Sequence, residues 1–165
     1  MTEDIRPDKL EVSVGDKAAW ARVRGRAKFP LAPALRRFAE RVLTPARPVF
    51  CLDLQACASL DSTFVGTLVL IATEIAPPPR EVHVLNATED VRRQLADLGV
   101  SGLFRFGGAG ATTAPGPAFQ RVAARPQPDE NETRATMLHA HEALADLSPE
   151  NERSFRDVIA FLKSA

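Results

Sequence analysis

The sequence lacks the features that mark several large classes of protein. Only two of its 165 residues are cysteine, Cys51 and Cys57, close together in an apolar stretch. The disulfide framework of a small secreted domain needs more of them at wider spacing, so both are read as buried thiols. No apolar run approaches the ~20 residues needed to cross a bilayer. The longest, Phe64–Ala72, is interrupted by Gly66 and Thr67, and no apolar leader follows Met1-Thr2-Glu3-Asp4. These absences predict a cytoplasmic protein with no direct membrane insertion. Net charge is absent too, with 21 basic and 21 acidic side chains, so a general electrostatic grip on nucleic acid is not indicated.

What remains is an ordinary globular composition, 45% hydrophobic and 25% charged. A chain of this length can bury roughly two-thirds of the surface its unfolded form exposes, enough to fold without metals or cross-links. The zero net charge hides segregation. Residues 17–47 carry nine basic groups and one acidic, whereas residues 129–165 carry eight acidic and four basic. The two regions are expected either to meet within the molecule or to face separate partners.

Alternating segments at Leu10–Val14 and Ala18–Arg24, separated by Gly15-Asp16, predict a β-hairpin with Trp20, Arg22, Arg24 and Arg26 on one face. From Leu31 the period becomes helical, with Leu31, Leu35, Phe38, Val42 and Leu43 on one side; Pro45 and Pro48 end this helix. Val49–Leu54 is near-continuously apolar, as in a parallel strand covered on both faces. Asp61-Ser62-Thr63 then opens a helix to about Ile75 that is apolar nearly all round and must therefore be buried. A strand over Glu81–Leu85, a helix over Thr88–Leu98 stopped by Gly99, and a short strand over Leu103–Phe106 complete the pattern. The fold class is α/β, with a mixed, mostly parallel sheet and packed helices.

Residues 107–128 change character. Gly107, Gly108, Gly110, Pro115, Gly116, Pro117, Pro126 and Pro128 mark them as a Gly/Pro/Ala-rich linker. Beyond it, 129–165 read as a helical hairpin, the second helix starting at Ser148-Pro149 with Phe155, Val158, Ile159 and Leu162 inward. Three parts follow: 1–106, the linker 107–128, and the hairpin 129–165. The hairpin is expected to pack on the open sheet face near Arg22, Arg24 and Arg26, or to pair between two copies in a homodimer.

The segment richest in chemistry is Cys51-Leu52-Asp53-Leu54 through Gly66. If Asp61 caps the helix, the Ser62 hydroxyl stands at a strand-to-helix corner where backbone amide dipoles converge, displayed to an incoming protein. This segment resembles the STAS domain family, the fold of anti-sigma factor antagonists. The likeness rests on Leu52-Asp53-Leu54, on Asp61-Ser62-Thr63 followed by Gly66 and Leu68, and on Leu98-Gly99 followed by Leu103-Phe104, with the order of elements agreeing over about residues 8–106.

The resemblance implies a non-enzymatic protein-binding module with no cofactor. It makes Ser62 a phosphorylation site, modified by a serine kinase that is also an anti-sigma factor and restored by a phosphatase, with Asp61 the flanking acid and Thr63 a second hydroxyl. The implied partner surface comprises Asp61, Ser62, Thr63, Phe64 and Gly66, joined by Arg26 and Lys28 after Gly25. The chain departs from the family pattern at two places. Arg26-Ala27-Lys28-Phe29 stand where members often have acidic or small polar residues, and Phe64 replaces a small residue, serving as core or as a partner anchor. The alternative role is an accessory subunit of a membrane transporter, gripping its ATPase without a phosphorylation cycle.

Other signals are discounted. His139 and His141, two apart on a helix, lie on different faces, unlike helical metal ligands. Ser62, Asp61 and His83 do not form a hydrolytic set, because there is no Gly-x-Ser-x-Gly elbow and His83 falls mid-strand. Gly107-Gly108-Ala109-Gly110 lacks the Lys-Ser/Thr of a phosphate loop.

Overall fold

The alternating segments at the start of the chain do form a hairpin. The computed structural model describes residues 8–107, 119–122 and 129–165, and in it β1 (Lys9–Val14) pairs antiparallel with β2 (Ala18–Ala27). The turn is closed by the Gly15 N–H donating to the Ala18 carbonyl at 2.9 Å.

Strand β2 runs three residues beyond its expected end because it serves two neighbours in succession. It pairs in parallel with β3 (Val49–Asp53) as far as Arg22 opposite Asp53, then shifts register between Gly25 and Arg26 and pairs with β4 (Cys57–Leu60). Gly25 makes this bend possible. Its φ of +92° suits only glycine, and a Cβ there would lie 2.6 Å from Asp8 Oδ1. Strand β5 (Glu81–Leu85) pairs with β3, and β6 (Arg105–Gly107) with β5, both in parallel. The segment expected to be a strand from Leu103 is first a short 3-10 turn over Ser101–Leu103.

Alternation divides the sheet cleanly. Ala19, Ala21 and Val23 of β2, Phe50 and Leu52 of β3, and Val82 and Val84 of β5 face the main core. Ala18, Trp20, Cys51 and Leu85 form a smaller cluster on the opposite face. Helices α1 (Ala32–Val42), α2 (Ser62–Leu70) and α3 (Glu89–Asp97) feed Leu35, Phe38, Phe64, Leu68, Val91 and Leu95 into the main core. The last turn of α2 widens over Ile71–Ile75, where the Ala76 N–H reaches the Ile71 carbonyl at 2.9 Å, before Pro77-Pro78-Pro79 stop it. Both cysteines are free and buried, and burial pushes the Cys57 thiol above its ordinary pKa.

Of the expected linker, Gly108, Gly110, Pro115, Gly116, Pro117, Pro126 and Pro128 lie outside the described residues. The described part is sheet: β7 (Gln120–Arg121) pairs antiparallel with β1, and the Val122 N–H donates to the Leu10 carbonyl at 2.9 Å. The sheet order is β6-β5-β3-β2-β1-β7, with β4 beside the far half of β2.

The hairpin of α4 (Glu130–Ala145) and α5 (Pro149–Ser164) does not pack on the sheet. It lies against α2 and α1, as a third layer outside the helices. Two physical reasons account for the correction. The arginine row already has acidic partners beside it, Arg22 and Arg24 sharing Glu11 at 2.8 and 2.6 Å and Arg26 meeting Asp8 at 3.6 Å. Meanwhile α2 is apolar on all sides and needs a second cover, which Thr136, Ala140 and Leu144 of α4 supply. Helix α5 rests on α4 along one side only. Leu162 is buried and Phe155 half-buried, but Val158, expected inward, is 39% exposed and Phe161 71% exposed. At the joint, buried Asn151 donates through Nδ2 to the Leu98 and Leu144 carbonyls at 2.9 and 3.0 Å.

Two outcomes follow from these contacts. Asn151→Ala should lower unfolding free energy by about 1–3 kcal/mol, read from urea midpoints, because it strips partners from carbonyls shielded from water. The Glu11 carboxyl is held below its ordinary value of 4.5 chiefly by the Arg22 hydrogen bond, against the opposing effect of burial. A depressed carboxyl contributes stability that is present above its unfolded pKa and is lost as pH falls through the folded one. Acid titration of stability should therefore show a loss below about pH 4.5 that is smaller in Glu11→Gln.

Candidate functional site

Asp61 organises the corner at the start of α2. As the N-cap, its Oδ1 accepts the Phe64 N–H at 2.8 Å, satisfying one of the first-turn donors that a helix leaves free. Its Oδ2 accepts the Phe29 N–H at 2.7 Å, and its own N–H donates to the Ala27 carbonyl at 3.0 Å. One carboxylate thus fastens the loop after β2 to the head of α2. This brings Arg26, Lys28 and Phe29, the last 44% exposed, to the same end of the fold as Asp61 and Ser62.

Ser62 is the first helical residue after that cap and is half-buried. Its Oγ lies 2.9 Å from Nε2 of His141 on α4. The other ring nitrogen, Nδ1, is 2.7 Å from the Met137 carbonyl, which can only accept, so Nδ1 carries a proton. In the neutral ring Nε2 is then the acceptor and the Ser62 hydroxyl the donor. The Phe155 ring packs edge-on against His141 with centroids 5.3 Å apart, closing the pair from the α5 side.

The close approach of α4 is set by Gly66. A Cβ at that position would fall 2.3 Å from the Ala140 carbonyl oxygen and 2.8 Å from its Cα, so only glycine lets the two backbones come this near. The seven residues expected on the partner surface therefore divide. Asp61, Ser62, Arg26 and Lys28 are gathered at one end, whereas Thr63, Phe64 and Gly66 are buried, Gly66 under Ala140 of α4 and Phe64 in the main core. Phe64 is core and not an accessible anchor, because its position on α2 turns it toward the sheet.

The two hairpin histidines do separate things. Exposed His139 meets Arg36 Nη1 through Nδ1 at 2.8 Å, while His141 is buried against Ser62. Among the described residues no group of three His, Cys, Asp or Glu side chains is placed to hold a metal ion. His83 sits on β5 opposite Cys51, on the sheet face away from α2, and is not near Ser62. Sequence reasoning missed His141. The available signal was its place with Thr136, Met137, Ala140 and Leu144 on a stripe at three- and four-residue spacing, where a histidine is turned inward.

A serine hydroxyl donating to a histidine nitrogen is a pairing that activated nucleophiles also use, and two cavities among the described residues lie elsewhere. A cavity of about 230 Å³ is lined by Leu10, Leu31, Ala34, Arg37, Val122 and Thr133 among others. A second, polar cleft involves Arg36, Glu74, His139, Glu142 and Asp146. Neither reaches Ser62 or His141.

No protein-family model matches the chain, and no curated protein matches it in sequence. The fold, however, is similar to solved ones. A Thermotoga maritima protein described as an anti-sigma factor antagonist superposes with a TM-score of 0.52 at 15% identity, over 59% of this chain and 85% of that one. An anti-sigma factor antagonist from Mycobacterium paratuberculosis gives 0.52 at 21% identity, over 61% and 85%. With the parallel β2-β3-β5-β6 order, the antiparallel β1 and the capped α2 after β4, these likenesses place the chain in the STAS fold, the fold of anti-sigma factor antagonists.

Proposed function

We propose that this chain is a non-enzymatic, protein-binding regulator of the anti-sigma factor antagonist kind, switched by phosphorylation of Ser62. The observation that supports it best is the position of Ser62: the first residue of α2, directly after the Asp61 cap, in a STAS fold. The partner is a serine kinase that doubles as an anti-sigma factor, and a phosphatase resets the switch. The kinase transfers the γ-phosphoryl group of ATP to Ser62 Oγ, forming the Oγ–P bond, breaking the bond to ADP and releasing the hydroxyl proton.

The physics of that position suits a switch. A phosphate adds about −1.5 to −2 charges. At the first turn of α2 the free protein tolerates it, because the helix N-terminus carries partial positive charge. On docking, the same charge sits beside Asp61 in a surface that must lose its water, and like-charge repulsion there costs several kcal/mol. The separation of Ser62 from both cavities supports binding in place of catalysis. No described helix is long and apolar enough to cross a membrane.

Ser62→Asp should fold like the wild type by circular dichroism and melting. It should bind the kinase partner at least a hundredfold more weakly, the consequence of about 3 kcal/mol of lost affinity. The measurement is parallel affinity capture from native lysate with both proteins, followed by titration of the retained ATP-binding kinase. Equal affinity for the two proteins would sink the switch.

A further inference from the structure

The surface where the proposed switch lies is already occupied, and by this chain. Helix α4 crosses the outer side of α2, with Ala140 seated on Gly66 and His141 holding the Ser62 hydroxyl. We propose that the α4–α5 hairpin is a self-cap: docked, it shields Ser62 and the outer side of α2, and it must lift before a partner can engage them. The proposal rests on the reading of Ser62 as the switch residue and adds the state in which that residue is reachable.

Three observations carry it. The first is steric. The acceptor hydroxyl of a phosphoryl transfer must face the γ-phosphorus with a lone pair in line, and a kinase has to close around the residues beside it. Here the hydroxyl is committed to His141, and the neighbouring Thr63 and Gly66 are buried, Gly66 under α4. The second is the nature of the α2–α4 contact. At its closest point it is a contact of small groups, Gly66 against the Ala140 backbone, and Leu144 is the only large apolar side chain that α4 buries wholly. Such a contact gains from close backbone approach.

The third is how few polar links join the hairpin to the rest among the described residues. Its named polar links to the α/β layers are the Arg37–Glu132 ion pair, the Arg36–His139 contact, Ser62–His141 and the Asn151–Leu98 hydrogen bond. The hairpin is also held together internally: α5 packs on α4, and Lys163 pairs with Glu142 at 3.4 Å. Phe155, His141 and Leu162 stay together if the hairpin moves as a body. A segment that keeps its own contacts when it moves, and is joined to the rest by few polar links, opens as a unit below the free energy of global unfolding.

Gly66 supplies the lever for a test. In Gly66→Ala the added methyl collides with the Ala140 backbone, while alanine is the better helix former within α2 by about 1 kcal/mol. Native-state hydrogen exchange on the full chain should show α4 and α5 amides exchanging about tenfold or more faster than the slowest amides of β3 and β5. Gly66→Ala should raise α4 exchange by a further factor of about ten and leave β3 and β5 unchanged. A second readout uses Ser62→Cys, the two native thiols being buried. The rate of labelling with a polyethylene-glycol maleimide, relative to N-ethylmaleimide, should rise about tenfold when Gly66→Ala is added, as access and not thiol chemistry changes.

Exchange of α4 in step with β3 and β5, or an unchanged labelling ratio, would overturn the cap. So would collapse of the whole fold in Gly66→Ala, since a cap must be able to leave. These readouts use neither kinase nor phosphate, so the cap can fail while the Ser62→Asp effect on partner affinity stands, and the reverse.

Discussion

An α-helix with no polar side cannot be satisfied by a single sheet, and α2 is such a helix. Every residue from Thr63 to Leu70 is buried. Phe64, Val65 and Leu68 reach the main core, each worth about 1.5–3 kcal/mol on full burial. The small residues Thr63, Gly66 and Thr67 are buried too, Gly66 under α4 on the side away from the sheet. Thr67 satisfies its own hydroxyl by donating to the Thr63 carbonyl at 2.8 Å, so the outer side offers shape and almost no exposed polarity. A third layer follows from this, and with it the position of His141 over Ser62. A glycine in mid-helix costs about 1 kcal/mol relative to alanine. The close seating of Ala140 on its backbone is what that cost obtains.

Charge follows the same local logic. The segregation along the chain resolves through neighbours and not through one face meeting another. Acids of β1 and the residue before it pair with the arginines of β2, while Arg37 of α1 meets Glu132 of α4. This last pair joins the cationic first third to the anionic end. Asp61 works differently, spending both oxygens on backbone N–H groups and so joining a loop and a helix without a cation.

Much of this was legible because it is local. The Gly15-Asp16 turn, the helical stripe from Leu35 to Val42, the buried run Phe50-Cys51-Leu52 and the Asp61 cap each declare themselves within a few residues, and each is where its pattern implies. Strand β4 was not legible, since Cys57-Ala58-Ser59-Leu60 is short, with small side chains, and pairs only because β2 bends at Gly25 to reach it. The site of the hairpin was hidden for a related reason. The buried residues of α4 are Thr136, Ala140, His141 and Leu144, a stripe too small and polar to announce a core face, and its match on α2 lies far away in sequence. The all-round apolarity of α2 was the clue. It required burial without naming the cover.

The strands at the two ends of the described sheet path are three residues long, Arg105–Gly107, and two residues long, Gln120–Arg121. A long, flat outermost strand offers a row of open backbone groups on which another chain can crystallise. The six-residue β1 would be such a strand, but Gln120 and Arg121 take its free flank, and the flanking arginine adds charge there. Residues 119–122, between the α/β layers and the hairpin, therefore do more than connect them. Lying beside β1, they occupy the flank on which a second copy could otherwise pair strand to strand.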